Sequence, residues 1–169
     1  KSLQKINSKH LIFYVIENFL ENNFRNFVLS IGNYKSIFYN FFNNVKKING
    51  RKVNIFFNQS MYLKSVKNKN ENINILLFYT GIIANKAERV LKIINKMNLE
   101  DFGVSYGDGV GNVNINRLYK NHISSNFIAS SAAIKAKSQY GHFIFKNNTD
   151  RKKIKNEIVI DFIEKPLLD

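Results

Sequence analysis

Apolar residues along the chain fall into stretches of two kinds, some at helical spacing and some continuous. Within Lys9–Asn22, Leu11, Ile12, Val15, Ile16, Phe19 and Leu20 recur three and four apart, the stripe of an amphipathic helix, with Ser8 placed as its N-cap. Phe27–Ile31 is a short apolar run closed by Gly32-Asn33, as a buried parallel strand would be, and Lys35–Phe42 returns to helical spacing. Lys52–Phe57 and Ile73–Tyr79 are further β-branched and aromatic runs. The polar, lysine-rich Lys64–Asn72 between them reads as the most mobile loop. Asn85–Met97 is expected to be a helix through Val90, Leu91, Ile93 and Ile94, and Phe102–Ser105 a short strand running into Gly107 and Gly109. Asn114–His122 reads as a helix. Asn126–Ala133, Tyr140–Phe145 and Glu157–Ile163 read as strands, with Asn147–Lys155 as a polar connection.

Strands that alternate with helices early and cluster late predict an α/β fold, a mostly parallel sheet with a small antiparallel annex. The chain of 169 residues is long enough for one sizeable core, so a single domain over residues 1–169 is expected. Cysteine is absent, which removes disulfides, thiolate metal sites and a cysteine nucleophile and fits a reducing compartment. No window reaches the roughly 18 consecutive apolar residues of a membrane helix, and no signal-peptide pattern opens the chain. A soluble, cytoplasmic protein is therefore expected, with no membrane partner.

The formal charge of +14 raises the question of a polyanion partner. Lysine, asparagine and isoleucine are all abundant, as AT-rich coding produces, and the lysines are spread along the chain with modest clusters at Lys64–Lys69 and Arg151–Lys155. Scattered charge reads as solvated surface, so nucleic acid is not an expected partner. His10, His122 and His142 lack metal-ligand spacing, and no Ser-His-Asp arrangement can be drawn.

In open α/β sheets the ligand crevice lies beyond the carboxyl ends of strands, and Asp108 sits where the strand predicted at Phe102–Ser105 runs out. Gly107 and Gly109 flank it, leaving its carboxylate free of side-chain bulk as a hard oxygen ligand for Mg²⁺. By itself this spacing is also that of an ordinary Asp in a glycine-rich turn.

Phe102-Gly-Val-Ser-Tyr-Gly-Asp-Gly-Val110 resembles the sugar-phosphate nucleotidyltransferase family around its metal-binding aspartate, and Glu164-Lys165-Pro166 resembles that family's later E-K-P signature. Between them Gln139-Tyr140-Gly141 is similar to the aromatic-glycine segment near the family's sugar pocket. Thr80-Gly81, followed by Arg89-Val90, is similar to the T-G…G-R-L pattern of the glucose-1-phosphate cytidylyltransferase branch. Lys1-Ser2-Leu3 with Lys9-His10 is similar to a degenerate K-P-M…G-K-P stretch. The resemblance implies a Rossmann-like, glycosyltransferase A-like sheet, here incomplete. It implies Mg²⁺ on Asp108 and phosphate contact from Lys1. Substrate contact is implied for Thr80, Gly81, Arg89, Tyr106, Gly107, Tyr140, Gly141, Glu164 and Lys165.

The implied reaction joins a nucleoside triphosphate, CTP by the branch, to a sugar 1-phosphate and releases pyrophosphate, giving a nucleotide-sugar such as CDP-glucose for polysaccharide precursors. A homo-oligomer is compatible with this reading. Departures from the pattern are as specific as the matches. The G-G-x-G-T-R phosphate loop expected before Lys1 and a later segment expected after Asp169 are not among these residues, and Ala87 and Glu88 replace family glycines. The 169-residue chain alone is accordingly expected to be inactive, and a catalytically inactive nucleotidyltransferase-like binding protein is the alternative. A basic RNA-binding domain is a more distant rival.

Overall fold

A computed structural model of the chain describes residues 1–67, 71–133, 142–145 and 159–164. Its contacts divide the chain into two units, Lys1–Ile123 and Ser124–Asp169. No described helix is long and apolar enough to cross a membrane.

The first unit opens with a small hairpin of β1 (Lys5–Ile6) and β2 (Lys9–His10), joined through Asn7 and Ser8 at φ 48° and 67°. Two successive left-handed residues give the turn whose twist suits a two-residue hairpin. Ser8 is thus used in this turn and does not cap a helix. Helix α1 begins later than its stripe predicted, at Leu11–Glu21, with His10 as an N-cap that makes no side-chain cap bond. There follow β3 (Asn26–Ile31), α2 (Lys35–Asn43), β4 (Lys47–Ile48), β5 (Arg51–Phe56), α3 (Gln59–Lys67), β6 (Ile73–Tyr79), α4 (Lys86–Met97) and α5 (Ile115–Ile123).

Strand order is β3-β6-β5-β4, with β3, β6 and β5 parallel and β4 antiparallel to β5 across the Asn49-Gly50 turn. Alternation along β6 sorts its side chains between two cores. Ile73, Ile75 and Leu77 meet Ile12, Ile16 and Leu20 of α1 and Phe42 of α2 on one face. Leu76 meets Tyr62 of α3 and Met97 of α4 on the other. Both faces of β6 are therefore covered, which is why its sequence is a nearly continuous apolar run. Each fully buried side chain of this size contributes about 1.5–3 kcal/mol.

One polar rung crosses this apolar sheet. Asn26, Asn74 and Asn54 lie in register on β3, β6 and β5. Asn74 is 1% exposed and its Oδ1 accepts from Asn54 Nδ2 at 3.0 Å and from Ser65 Oγ of α3 at 2.9 Å. Its Nδ2 donates to Asn26 Oδ1 at 2.9 Å.

Burial also acts on Tyr62, whose phenol is pushed up to about 12 by desolvation. The unfolded chain, with an ordinary tyrosine near 10, releases this proton first, so the folded state holds more protons between those values. Stability is thus unaffected below pH 10 and falls as pH rises toward 12, by about 2–3 kcal/mol in all. Denaturant midpoints measured at pH 8 and pH 11.5 should separate for the natural chain more than for Tyr62→Phe.

Three sequence expectations are corrected here. Lys64–Lys67 belongs to α3, so only the later part of the expected Lys64–Asn72 loop lies beyond a helix. Phe102–Ser105 is not a strand: it joins no ladder among the described residues, and Gly103 lies against the Phe19 ring of α1 instead. Asn126–Ala133 is likewise not a strand, and Phe127 and Ile128 within it are exposed. In the second unit, β7 (His142–Phe145) and β8 (Val159–Ile163) form the expected antiparallel annex, pairing His142 with Ile163 and Phe143 with Phe162. The connection expected at Asn147–Lys155 lies outside the described residues.

Candidate functional site

The chain leaves β3 for α2 on one face of the sheet and leaves the neighbouring β6 for α4 on the other. Where adjacent parallel strands send their connections to opposite faces, the loops part and open a crevice at the strands' carboxyl ends. The first residues beyond these two strands line it, Gly32 after β3 and Thr80 after β6.

Thr80 is 3% exposed and fully engaged. Its backbone N–H donates to the Ile31 carbonyl at 2.8 Å, extending the ladder by one step, and its hydroxyl bonds the same carbonyl at 3.1 Å. Ser30 Oγ lies 3.1 Å from Thr80 Oγ1. Two cations of α4 reach the same residue: Arg89 Nη1 donates to Thr80 Oγ1 at 2.7 Å, and Lys92 Nζ donates to the Thr80 carbonyl at 2.9 Å. Arg89 Nη2 also donates to the Ile82 carbonyl at 3.3 Å. The guanidinium occupies the space that a side chain at position 32 would need, since a Cβ there would come 2.4 Å from both Nη atoms. Gly81, at φ +95°, turns the chain away from the strand toward α4.

Neither Arg89 nor Lys92 is paired with a carboxylate among the described residues. Glu88, the nearest candidate in sequence, is held elsewhere. Its Oε2 accepts from the Asn85 N–H and its own N–H donates to Asn85 Oδ1, both at 3.0 Å. This capping box satisfies donors that a helix start leaves open. The same box makes Ala87 and Glu88 part of the first turn of α4. The result is two cations whose hydrogen bonds to neutral oxygens orient them without neutralising them, at the mouth of a crevice. Such a place suits a phosphate or other oxyanion.

The Tyr106-Gly107-Asp108 turn belongs to the same unit and approaches this region from the side of α1. Gly109 N–H closes it by donating to the Tyr106 carbonyl at 3.2 Å. A Cβ at Gly107 would meet Ser2 Oγ at 2.7 Å and the Ile12 side chain at 3.2 Å, so only glycine lets the turn sit this close to the N-terminal segment. Lys86 Nζ lies 4.8 Å from the Tyr106 ring centroid, and Lys86 is one helical turn before Arg89. The turn thereby meets the first turn of the helix that carries the cation pair. Asp108 is exposed and does not stand at the mouth of a β-strand, because the segment before it is not one. Lys1 is exposed, its carbonyl accepting from Gln4 N–H at 2.7 Å, and the Ser2 beside it touches Gly107.

Among the described residues no three His, Cys, Asp or Glu side chains gather into a metal-holding group. One exposed carboxylate offers too few donors for a resident ion. Mg²⁺ fits Asp108 only as an ion already carried on phosphate oxygens, the way Mg²⁺ commonly enters phosphate sites.

The strand ends thus bring together Thr80, Gly81 and Arg89, while Tyr106 meets Lys86, Gly107 lies against Ser2 and Ile12, and Lys1 and Asp108 are exposed. Glu164 is an exposed residue just after β8 in the second unit, and Lys165, Tyr140 and Gly141 lie outside the described residues. Ser30, Gly32 and Lys92 are site residues that the sequence reading passed over. The signal for Lys92 was its place three residues after Arg89, which puts both on one helix face. The signal for Gly32 was its position immediately after a parallel strand. No protein-family model, curated protein or solved structure matches the chain.

Proposed function

We propose that this chain carries the nucleotide-binding part of a sugar-phosphate nucleotidyltransferase, with a nucleoside triphosphate lying across the carboxyl ends of β3 and β6. The observation that carries the reading is the convergence of Arg89 and Lys92, uncompensated by carboxylates among the described residues, on the buried Thr80 at the point where strand connections part. Arg89 and Lys92 hold phosphate oxygens and neutralise charge that grows as pyrophosphate leaves. Lys1 adds charge from the flank, and Tyr106 and Gly107 shape the wall against which the sugar 1-phosphate rests. Such transfer needs positioned cations and no nucleophilic side chain, because the attacking oxygen belongs to the sugar phosphate.

The resemblance favours CTP and glucose 1-phosphate, hence CDP-glucose, in the cytoplasm. Mg²⁺ supplies charge neutralisation when it arrives with the triphosphate, and Asp108 is its protein ligand. Glu164 and Lys165 contact the sugar phosphate on the same analogy. A second reading, a binding protein that has lost turnover, is favoured by the capping box at Asn85–Glu88, which has turned the family's glycine stretch into helix.

Calorimetric titration of the 169-residue chain with CTP, with and without Mg²⁺, tests the shared part of both readings. Binding should strengthen with Mg²⁺, and Asp108→Asn should lose that increment, about 3- to 10-fold, while leaving metal-free binding alone. Equal titrations of the two proteins in Mg²⁺ would remove Asp108 from the site. Formation of CDP-glucose from CTP and glucose 1-phosphate separates the enzyme from the binding protein.

A further inference from the structure

The crevice has a second wall. Side chains alternate along β6, so Thr80 faces α4 with its two cations while Tyr79 faces α2. Tyr79 is 43% exposed, and the Lys35 ammonium lies 5.0 Å from its ring centroid and 5.2 Å from that of Tyr39. One cation thus fixes two rings at the strand end. Tyr34, the residue before this lysine, follows Gly32 and Asn33 as the N-cap of α2 and is 71% exposed.

Tyr34 is held in left-handed backbone, at φ 64° and ψ 31°, and makes no side-chain cap bond. A bulky L residue is disfavoured there, and Gly or Asn would occupy the position more easily. An exposed aromatic residue kept at a strained cap, next in sequence to the lysine that lies over Tyr79, is not accounted for by packing. Strain of this kind gathers where a ligand is clamped.

We propose that Tyr34 and Tyr79 form a stacking platform for the nucleobase of a nucleotide whose phosphates lie against Arg89 and Lys92. This rests on the reading of the crevice as a nucleotide site and adds which wall takes the base. A nucleotide has a flat, weakly polar ring at one end and concentrated negative charge at the other. It therefore needs a π-surface and a cationic surface on opposite sides of one edge. The end of β6 supplies both, because consecutive residues of a strand point to opposite faces. Tyrosine suits the task, as it presents a rigid ring with only two side-chain torsions to freeze.

Calorimetry of the 169-residue chain in Mg²⁺, with CTP and tripolyphosphate as probes, tests the platform. The natural chain should bind CTP more tightly than tripolyphosphate. Tyr34→Gly and Tyr79→Leu should each weaken CTP about tenfold and leave tripolyphosphate unchanged. Arg89→Gln should weaken both probes. Tyr34→Gly should also melt at a higher temperature than the natural chain, since it relieves the left-handed backbone, so its lost affinity could not come from unfolding.

Unchanged CTP binding in both tyrosine variants, or equal losses for the two probes, would overturn the platform. So would a natural chain that binds tripolyphosphate as tightly as CTP, although the anion site would then stand. A natural chain that binds neither probe would overturn the nucleotide reading and the platform together.

Discussion

Asn74→Ala should lower the stability of the first unit by about 3 kcal/mol, read as a shift of the denaturant midpoint with an unchanged slope. The side chain is 1% exposed and ties three parallel strands and a helix together through Asn26, Asn54 and Ser65. Truncation removes three hydrogen bonds at once and leaves amide groups facing an apolar gap that water reaches poorly. A surface asparagine such as Asn95 should lose less than about 0.5 kcal/mol on the same change. Asn74→Asp should cost still more at neutral pH, since it puts a carboxylate into the sheet with no cation beside it among the described residues. An alanine variant as stable as the natural chain would mean that the rung is not buried as described.

The second large effect concerns ligand binding. Arg89→Gln should weaken CTP binding roughly 30-fold, the size of one lost charge-assisted contact. Gly32→Val should do the same with Arg89 still in place. Its side chain would enter the volume now filled by the guanidinium, whose Nη atoms lie 2.4 Å from an added Cβ. The arginine is a flexible chain and can move aside, so the fold should survive while the cation loses its bonds to Thr80 and Ile82. Circular dichroism and titration of the same sample would show this division. If Gly32→Val binds CTP like the natural protein, the guanidinium need not lie over the strand end, and its placement there has no role in recognition.

Much of the architecture could be read from apolar spacing. β6 was bounded at Ile73–Tyr79 as found, and α2, α4 and α5 fell within a residue or two of their expected ends. These segments declare themselves because each buries a face or both faces, so composition and periodicity agree. α3 was hidden by its own lysines. Tyr62, Leu63 and Val66 form its buried side, but Lys64 and Lys67 beside them gave the segment the look of a loop. Phe102–Ser105 erred in the other direction, since local pattern can suggest a strand but only a neighbouring ladder makes one.

The site divides along the same line. Thr80, Gly81 and Arg89 stand out in the sequence only through a resemblance to a family pattern. Ser30, Gly32 and Lys92 join them only through the strand order β3-β6-β5, a long-range property that no window of residues contains. The asparagine rung is the clearest example of information that composition conceals. In a chain so rich in asparagine, Asn26, Asn54 and Asn74 look like three more products of coding bias, and registry across three strands gives them a purpose.

The reciprocal bonds between Asn85 and Glu88 bear on more than the helix end they satisfy. Each residue added to an α-helix rotates the next by about 100°, so the residue at which winding begins determines the compass bearing of every later side chain. Ile93 and Met97, packed beside Leu76, fix which face of α4 meets the sheet, and the capped first turn keeps Arg89 wound onto that same rotation, so two exposed residues hold in helix the segment from which the cations emerge.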